Sequence, residues 1–358
     1  MELDHLRKKI DRVDYDIIKL VEQRFELAAI TQKLKKEVED PKREAQVLQN
    51  VSRYPATLVD GAFSKKMFAQ IIEESKRLQQ EGRMLACFQG EHGAYSEMAS
   101  RRHLPGAIAI PCAEFAQVFD MVREGKCDRG IVPVENTLGG AVSLVSDLLV
   151  DTPLHVVGEI RVPIRHCLLV RPGTDYREIK VVYSHPQALA QCRRFLERNK
   201  LETVPYYDTA GAARMLSESR PKATAVIASG LCAQLYNLEV LKENVEDHPA
   251  NVTRFLVLAR EPLADGKGDK CSMVFSAKDE AGALFGILEA FSKNGINLTR
   301  IESRPSRKDP GKYVFLLDFE GHAGEGRVKD ALERVKKEAA MCRVLGFYPQ
   351  DKGTEGSA

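Results

Sequence analysis

The 358-residue chain lacks the features that identify several large classes of protein. No apolar stretch approaches the roughly 18 residues of a membrane-spanning helix, so no membrane partner is expected. Met1 opens into charged residues, so we expect no signal peptide and a cytoplasmic location. The formal net charge is only +2 and no basic run stands out, which argues against nucleic acid as a partner.

The cysteines lack the spacing of a metal site. All eight are scattered singly, with no C-x-x-C pair and no neighbouring Cys/His cluster. Reduced and mostly buried thiols are predicted, without a bound metal. The length leaves room for two or three domains with cores of their own.

The pattern of predicted helices and strands divides the chain into three blocks. The helical block, residues 1–82, is predicted to form three helices. The middle block, 83–262, alternates short β-rich runs with helices, which favours a mostly parallel sheet covered by helices and could divide into two lobes. The C-terminal block, 269–350, follows the βαββαβ order of a ferredoxin-like module, and 351–358 is predicted to be a disordered tail. The strands predicted in the middle block are 84–88, 107–111, 129–134, 155–160, 166–171, 180–183, 203–206, 224–228 and 254–260.

The first helix carries an apolar seam interrupted by an arginine. Three- and four-residue spacing of this kind is typical of a helix packed lengthwise on others, here roughly 48 Å long. A guanidinium on the seam is costly to desolvate unless an anion meets it. Lys35 lies about 20° from Arg24 around the helix, so the two cations flank a gap suited to a small anion. The seam consists of Leu6, Ile10, Val13, Ile17, Leu20, Arg24, Leu27, Thr31, Leu34 and Val38.

Other polar residues of the helical block could complete this gap. Arg7 lies about 25 Å from Arg24 along the helix and could reach the gap only from a second, antiparallel copy. Ser75 and Gln79 lie four residues apart and therefore share one face of the third helix. Taken singly, Arg7 and the charges that open the second helix could equally be solvated surface residues.

The helical block resembles the all-helical chorismate mutase family. The resemblance rests on L-R-K-K-I-D-x-x-D at 6–14, E-Q-R-x-E-L-A at 22–28, D-P-K-R-E at 40–44 and I-I-E-E-S-x-x-x-Q at 71–79. It implies an intertwined homodimer that rearranges chorismate to prephenate without a cofactor. It also implies that arginines bind the carboxylates, that Lys35 and Gln79 serve the ether oxygen, and that Glu44 serves the ring hydroxyl; Asp40 could be only a helix cap. The implied pocket is Arg7, Arg24, Lys35, Asp40, Arg43, Glu44, Ser75 and Gln79.

The middle block places polar and glycine-rich segments at strand ends and helix starts. Helix starts offer free N–H groups to carboxylates, and open α/β sheets bind ligands at strand ends. Ser184 and Asp208 could equally be ordinary helix caps, and His185 is more readily structural than a general base. The segments are Gln89–Ser96, Val132–Thr137, Ser184–Gln187, Asp208–Gly211 and Asn251–Phe255.

These segments resemble prephenate dehydratase across residues 84–260. The matching motifs are G-x-x-G-A-Y-S, V-P-V-E-N-T, S-H-P-Q-A-L-A-Q-C, D-T-A-G-A-A and N-x-T-R-F. The resemblance implies a two-lobed, periplasmic-binding-protein-like α/β domain that turns prephenate into phenylpyruvate. It implies that Thr253 acts on the departing hydroxyl and that Arg254 binds a carboxylate. The other implied substrate-binding residues are Glu135, Asn136, Thr137, Ser184 and Gln187.

The C-terminal block contains two short motifs and no obvious catalytic constellation. A close-packing glycine and an ordinary surface turn would be the simplest interpretation of them. Both motifs resemble those of ACT domains attached to this dehydratase, which implies a phenylalanine pocket at a subunit interface and feedback inhibition. The implied allosteric residues are Gly282, Ala283 and Leu284 at a helix start, and Glu302, Ser303, Arg304 and Pro305 after the next strand.

The combined resemblance implies a bifunctional chorismate mutase–prephenate dehydratase with a regulatory ACT domain and no cofactor. Arogenate dehydratase activity, alone or beside prephenate dehydratase activity, stays open because the middle-block motifs also resemble that branch. A non-catalytic amino-acid sensor is disfavoured, since it would not need Thr253 or the complete set of cations. A homodimer is expected, and a homotetramer stays open.

Overall fold

The computed structural model describes residues 3–35, 37–219, 221–264, 268–307 and 309–353, and elements are numbered along the chain. The helices are α1 (Leu3–Leu34), α2 (Pro41–Val51), α3 (Gly61–Gln80), α4 (Tyr95–His103), α5 (Phe115–Arg123), α6 (Ser143–Asp151), α7 (Pro186–Gln191), α8 (Arg193–Arg198), α9 (Thr209–Ser219), α10 (Gly230–Leu235), α11 (Ala283–Lys293) and α12 (Gly326–Glu338). The strands are β1 (Leu85–Gln89), β2 (Ile108–Cys112), β3 (Arg129–Asn136), β4 (Gly140–Ala141), β5 (His155–Pro163), β6 (Cys167–Val170), β7 (Val181–Ser184), β8 (Glu202–Pro205), β9 (Thr224–Ala228), β10 (Glu239–Lys242), β11 (Val252–Ala259), β12 (Lys270–Ser276), β13 (Leu298–Pro305), β14 (Tyr313–Glu320) and β15 (Met341–Tyr348).

The helical block forms the three predicted helices, with one boundary different from the prediction. α2 begins where expected, because the Asp40 carboxylate caps it by accepting a hydrogen bond from Arg43 N at 3.0 Å and Pro41 takes the first helical position. α1, however, ends at Leu34, so the placement of Lys35 and Val38 on this helix is wrong. The direction of the Lys35 side chain is therefore not fixed by α1.

The apolar seam of α1 is mostly uncovered within one chain. α1 packs on α3, but Ile10, Leu20 and Leu27 remain 60%, 65% and 64% exposed. A row of large exposed apolar side chains of this length marks a surface for another protein or another copy of the same chain.

The middle block consists of two lobes, each built on its own sheet. The first has the strand order β2-β1-β3-β11-β5, with β4 beside β3, and the second has the order β10-β6-β9-β7-β8. All nine predicted strands are present, and two short ones, β4 and β10, were not predicted. The expectation of a mostly parallel sheet is wrong, because β11 returns from the second lobe and inserts antiparallel between β3 and β5, while β6 runs antiparallel to both its neighbours.

The C-terminal block has the predicted βαββαβ order. Its antiparallel sheet has the strand order β13-β14-β12-β15 and buries one face against α11 and α12. The sheet also packs closely on the first lobe: a Cβ on Gly346 of β15 would lie 2.1 Å from Val156 O of β5, so only glycine allows this approach.

The predicted tail begins in an ordered position. Asp351 Oδ2 accepts a hydrogen bond from Arg161 N at 2.8 Å, and Asp351 N donates one to Glu159 Oε1 at 3.1 Å. The prediction of disorder from residue 351 is therefore wrong for this residue, whereas 354–358 lie outside the described residues. Among the residues that the structure covers, no helix is both long and apolar enough to cross a membrane.

Candidate functional site

Three of the predicted pocket residues of the helical block meet between α1 and α3. Arg24 Nη1 donates to Ser75 Oγ at 2.7 Å, and Gln79 Nε2 donates to Ala28 O and lies 3.3 Å from Thr31 Oγ1. Ser75 and Gln79 are each only 6% exposed. The helix spacing that predicted this face is therefore confirmed by direct contacts.

Within the described part of the chain, Arg24 and Arg43 are hydrogen-bonded to Ser75 and Gln46 and form no ion pair with a carboxylate. Burial first, and then the nearby charge of Arg43, lowers the pKa of Arg24. Glu44, in the first turn of α2, forms an ion pair with Lys76 instead, with 3.1 Å between Oε2 and Nζ. The partly buried Arg24 guanidinium, with the exposed Arg43 nearby, favours binding of an anion.

Two predicted pocket residues are not brought to this place within one chain. Arg7 is 66% exposed at its side chain, with 3.6 Å between its Nη1 and Asp4 Oδ1. Lys35 is also exposed, just beyond the end of α1. Asp40 caps α2. The pocket of a single chain is thus open on the side where the exposed seam runs.

A second site lies in the cleft between the two lobes of the middle block. This cavity has a volume of about 440 Å³ and is lined by the end of β3, the start of β11 and the starts of α4, α7 and α9. The polar residues that line it are Gln89, Tyr95, Ser96, Asn136, His166, His185, Gln187, Gln191, Tyr207, Asp208, Thr209 and Thr253. Among the described residues, no group of three His, Cys, Asp or Glu side chains is placed to hold a metal ion.

Thr253 is held at the cleft by a rigid amide. Asn136 Nδ2 donates to Thr253 Oγ1 at 2.9 Å and to Asn251 Oδ1 at 2.7 Å, and Asn136 Oδ1 accepts hydrogen bonds from Leu138 N and Gly139 N. Because the threonine oxygen accepts from Asn136, its own O–H remains available to a ligand. Asn136 therefore positions the hydroxyl that the sequence singled out.

A chain of hydrogen bonds on the opposite wall was missed in the sequence. Gln191 Oε1 lies 2.9 Å from His166 Nε2, and Tyr95 Oη lies 3.0 Å from His166 Nδ1. Burial lowers the pKa of His166, which keeps the ring neutral. The spacing could have revealed Gln191, since it lies four residues after Gln187 on α7 and shares its face.

Asp208 is the carboxyl group in the described lining of this cleft. Its Oδ1 accepts a hydrogen bond from Gly211 N at 2.8 Å at the start of α9. Burial raises its pKa, and the backbone hydrogen bonds oppose that rise without cancelling it. The cleft thus contains one acid that holds a proton more readily than a free aspartate.

Two predicted substrate-binding residues serve the fold instead. Ser184 is fully buried and donates to Ile227 O at 2.6 Å, so the prediction that it binds a ligand is wrong. Thr137 Oγ1 donates to Ala250 O and accepts from Val252 N, both at 3.0 Å, which joins the loop after β3 to the start of β11.

Arg254 and Glu135 also lie away from the cleft. Successive side chains of a strand point to opposite faces, so Arg254 faces away from the cleft that Thr253 lines. Its guanidinium is 3% exposed and contacts Glu135 at 3.3 Å. The prediction that this pair binds the substrate is therefore wrong.

The two motifs of the C-terminal block emerge at the same end of its sheet. Phe275 of β12 and Ser303 of β13 both face Phe315 of the strand between them, so the segments that follow them are neighbours. Gly282, with φ +87°, caps α11, in whose first turn Ala283 and Leu284 lie. A cavity of about 820 Å³ borders this end and reaches Arg304 and Pro305.

The second motif also contacts the middle block directly. Glu302 accepts a hydrogen bond from Ser146 Oγ at 3.0 Å, and Arg304 Nε lies 2.7 Å from Asp147 Oδ1. Ser146 and Asp147 belong to α6, and residues 139–142 just before that helix line the cleft. Ser303 and Pro305 are exposed on the opposite face of the strand.

A partly buried histidine joins the helical and middle blocks. His92 Nε2 lies 3.0 Å from Glu26 Oε1 of α1, and Nδ1 lies 3.3 Å from Glu97 Oε2 of α4. Burial alone would lower the pKa of His92, but the two carboxylates outweigh it and raise the pKa to about 10. The charged imidazolium therefore links the helical block to the middle block through Glu26 and Glu97.

We expect His92→Gln to lower the melting temperature below pH 6.5 and to have no effect above pH 10. A folded-state pKa above the unfolded value of 6.5 stabilises the folded state fully below pH 6.5, and this stabilisation is lost as the pH rises through about 10. Thermal unfolding across this range measures the effect, with exposed His248→Gln as the matched control. Equal melting temperatures for His92→Gln and wild type at pH 6 would contradict stabilisation by the charged His92 side chain.

Family models match the chain in three consecutive segments. Chorismate mutase type II matches residues 6–80, prephenate dehydratase matches 86–263, and the ACT domain matches 272–337. A bifunctional chorismate mutase/prephenate dehydratase of Aquifex aeolicus is 36% identical over 358 residues, with 98% of each chain covered. Arogenate dehydratase 2 of Petunia hybrida is 41% identical over 287 residues, which cover 76% of this chain and 73% of that protein.

Solved structures agree over the middle and C-terminal blocks. A prephenate dehydratase from Arthrobacter aurescens in complex with L-Phe is 34% identical, with a TM-score of 0.68, 75% of this chain and 90% of that chain covered. GqqA, described as a novel type of quorum quenching acylase, is 35% identical, with a TM-score of 0.70 and coverage of 75% and 98%. The fold and sites thus define a mutase domain joined to a dehydratase domain and an ACT domain. The chain belongs to the family of bifunctional chorismate mutase/prephenate dehydratases.

Proposed function

We propose that the chain rearranges chorismate to prephenate in the helical block and converts prephenate to phenylpyruvate in the cleft, with phenylalanine as the inhibitor. The observation that supports this best is the Thr253 hydroxyl, held by Asn136 at the wall of the cleft with its proton free. The product of the first site is the substrate of the second, which explains why the two sites share one chain.

The first reaction needs electrostatic stabilisation rather than a nucleophile. Arg24 and Arg43 supply positive charge for the two carboxylates, and Gln79 supplies an amide near the breaking ether bond. Ser75 already holds the Arg24 guanidinium, so this group needs little reorganisation during the rearrangement. We assign the remaining cation to Arg7 of a second chain, because the exposed α1 seam offers the surface for an antiparallel partner.

The second reaction removes carbon dioxide and water from one ring. The bond between the ring and its carboxylate breaks and its electron pair enters the ring, while the hydroxyl opposite leaves as water after accepting a proton. Thr253 donates a hydrogen bond to that hydroxyl, and Gln187 and Gln191 orient the substrate. Asp208 offers a carboxyl group in the same cleft that can hold the one proton consumed per turnover.

Product analysis of the purified full chain tests this assignment. Chorismate, prephenate and arogenate are supplied separately, each with and without phenylalanine, and the products are identified. We expect chorismate to give prephenate and then phenylpyruvate, and phenylalanine to slow the second step. Absence of turnover with all three substrates would refute the enzymatic assignment.

Arogenate is the second candidate substrate of the cleft. The 41% identity to the Petunia arogenate dehydratase favours it, and Asp208 could pair with the ammonium group that arogenate bears. A higher kcat/KM for arogenate than for prephenate would establish this alternative.

We expect Arg304→Gln to weaken inhibition by phenylalanine without changing the uninhibited rate. Arg304 holds Asp147 of α6, and loss of this contact separates the ACT motif from the cleft. The half-inhibitory concentration should rise about tenfold, within the usual range of allosteric coupling. Arg307→Gln is the matched control, since Arg307 contacts the same carboxylate from a side chain that is 66% exposed. Equal shifts in the two variants would contradict this role.

A further inference from the structure

We propose that the ACT domain completes the dehydratase site: its Asp318 is the buried counter-ion of Arg254, and Arg254 positions Thr253. Arg254 is thus a positioning residue rather than a substrate ligand. This inference rests on the proposed dehydratase function of Thr253.

Strand β11 connects the two faces on which these residues act. Thr253 lines the cleft, and Arg254, the next residue, points through the opposite face of the same sheet toward the ACT domain. One peptide bond therefore separates the proposed catalytic hydroxyl from a residue held by another domain. A displacement of the guanidinium moves the backbone that carries Thr253.

Besides the partly exposed Glu135 described above, the guanidinium has one buried partner in the dehydratase domain and two in the ACT domain. Arg254 Nη1 donates to Asp318 Oδ2 at 2.6 Å, and Nη2 donates to Tyr348 Oη at 3.0 Å. Asp318 lies on β14 and Tyr348 on β15, two strands of the ACT sheet. The dehydratase domain contributes Glu159, whose Oε2 accepts from Arg254 Nε at 2.6 Å. Arg254 and these three buried partners are at most 3% exposed.

Two of the buried ion pairs cross the contact between the domains. Lys270 of the ACT domain is fully buried and lies 2.9 Å from Glu159 Oε2. Each domain thus supplies one buried cation and one buried anion, and each cation contacts the anion of the other domain. Leaving any one of these charges unpaired in the interior is strongly unfavourable. The contact between the domains is therefore a fixed part of the site.

The ionisation of Asp318 agrees with this arrangement. Burial would raise its pKa, yet Arg254, Arg300 and the hydroxyl of Ser272 together hold the pKa below its usual range. Ser272 Oγ donates to Asp318 Oδ1 at 2.6 Å, so both carboxylate oxygens are occupied. Asp318 thus has one fixed orientation.

A β-bulge lies at the point where the two domains meet this strand. Arg254 pairs with Glu135, but the next residue, Phe255, pairs with Pro133, so β3 has one extra residue here. Bulges bend a strand locally and change the direction of nearby side chains. A displacement of Arg254 therefore changes the backbone conformation beside Thr253 more than that of the rest of the sheet.

The test uses the full chain carrying Asp318→Asn, which keeps the side-chain shape but removes the charge. We expect kcat for prephenate to fall about 10- to 100-fold, the loss that a small misplacement of a reacting group can cause, with KM changed less than about threefold. Chorismate mutase activity should be unchanged, and the remaining dehydratase activity should respond less to phenylalanine. The matched control is Asp330→Asn on the exposed side of α12, which should behave as wild type.

A second variant decides the question where Asp318→Asn fails to fold. Tyr348→Phe removes one hydrogen bond to Arg254 and leaves every charge in place, and it should lower kcat about fivefold at constant KM. Wild-type kcat, KM and phenylalanine response in a folded Asp318→Asn protein, or wild-type kcat in Tyr348→Phe, would overturn the inference. Wild-type protein without dehydratase activity would instead refute the proposed function.

Discussion

Thr253→Val is expected to abolish prephenate dehydratase activity while leaving chorismate mutase activity intact. Valine fills the same space but cannot donate a hydrogen bond to the departing hydroxyl. The loss in kcat should be about 10²- to 10⁴-fold, the usual contribution of a positioned proton donor. Because Asn136 already occupies one lone pair of the threonine oxygen, the hydroxyl has few other orientations, which makes its removal more damaging.

Both activities are measured in the same preparation, so the helical block serves as an internal control. Thr253→Ser, which keeps the hydroxyl, should retain much more activity than Thr253→Val. Parallel loss of mutase and dehydratase activity would indicate unfolding. Full dehydratase activity in Thr253→Val would show that another group acts on the hydroxyl.

Mixing two inactive variants is expected to restore chorismate mutase activity. Arg7→Ala and Arg24→Ala should each be inactive alone, because loss of one preorganised donor commonly raises the barrier by about 2.7–4 kcal/mol. In a dimer that contains one copy of each, one of the two pockets has both arginines. Random exchange makes half of all dimers mixed, so about a quarter of wild-type activity should return.

The matched control uses two residues expected to belong to the same pocket from the same chain. Arg24 and Gln79 both lie between α1 and α3 of one chain, so Arg24→Ala mixed with Gln79→Ala leaves neither pocket of a mixed dimer complete and no activity should return. Both mixtures are assayed after partial denaturation and refolding to allow exchange. Restored activity in the control, or none in the Arg7 and Arg24 mixture, would contradict a pocket shared between chains.

The sequence was sufficient for the domain order and for most of the strands, because the periodicity of apolar residues changes sharply at the block boundaries. Each predicted strand of the middle block is confirmed within three residues. β4 was missed because two residues are too short to show a period. The parallel arrangement was predicted wrongly because the return of β11 from the second lobe leaves no local pattern.

The site residues were less predictable because a motif gives the order of residues but not the face of the strand on which each side chain lies. Thr253 and Arg254 were assigned to one ligand, although alternation along a strand places them on opposite faces. Ser184 begins a motif that lies at the cleft, yet its own side chain points into the core. Contacts with the ACT domain, such as Asp318 with Arg254, join residues 64 positions apart and leave no trace in local sequence.

If the exposed seam of α1 pairs two chains as proposed, the first activity is expected to be sensitive to dilution. A pocket that needs Arg7 from a second chain would exist only in associated protein, so well below the dissociation constant the concentration of complete pockets would follow the square of the chain concentration. The cleft is enclosed by one chain and has no such dependence through α1. On dilution the specific activity of the mutase should therefore fall first, and prephenate would have to be supplied from outside to keep the second step running.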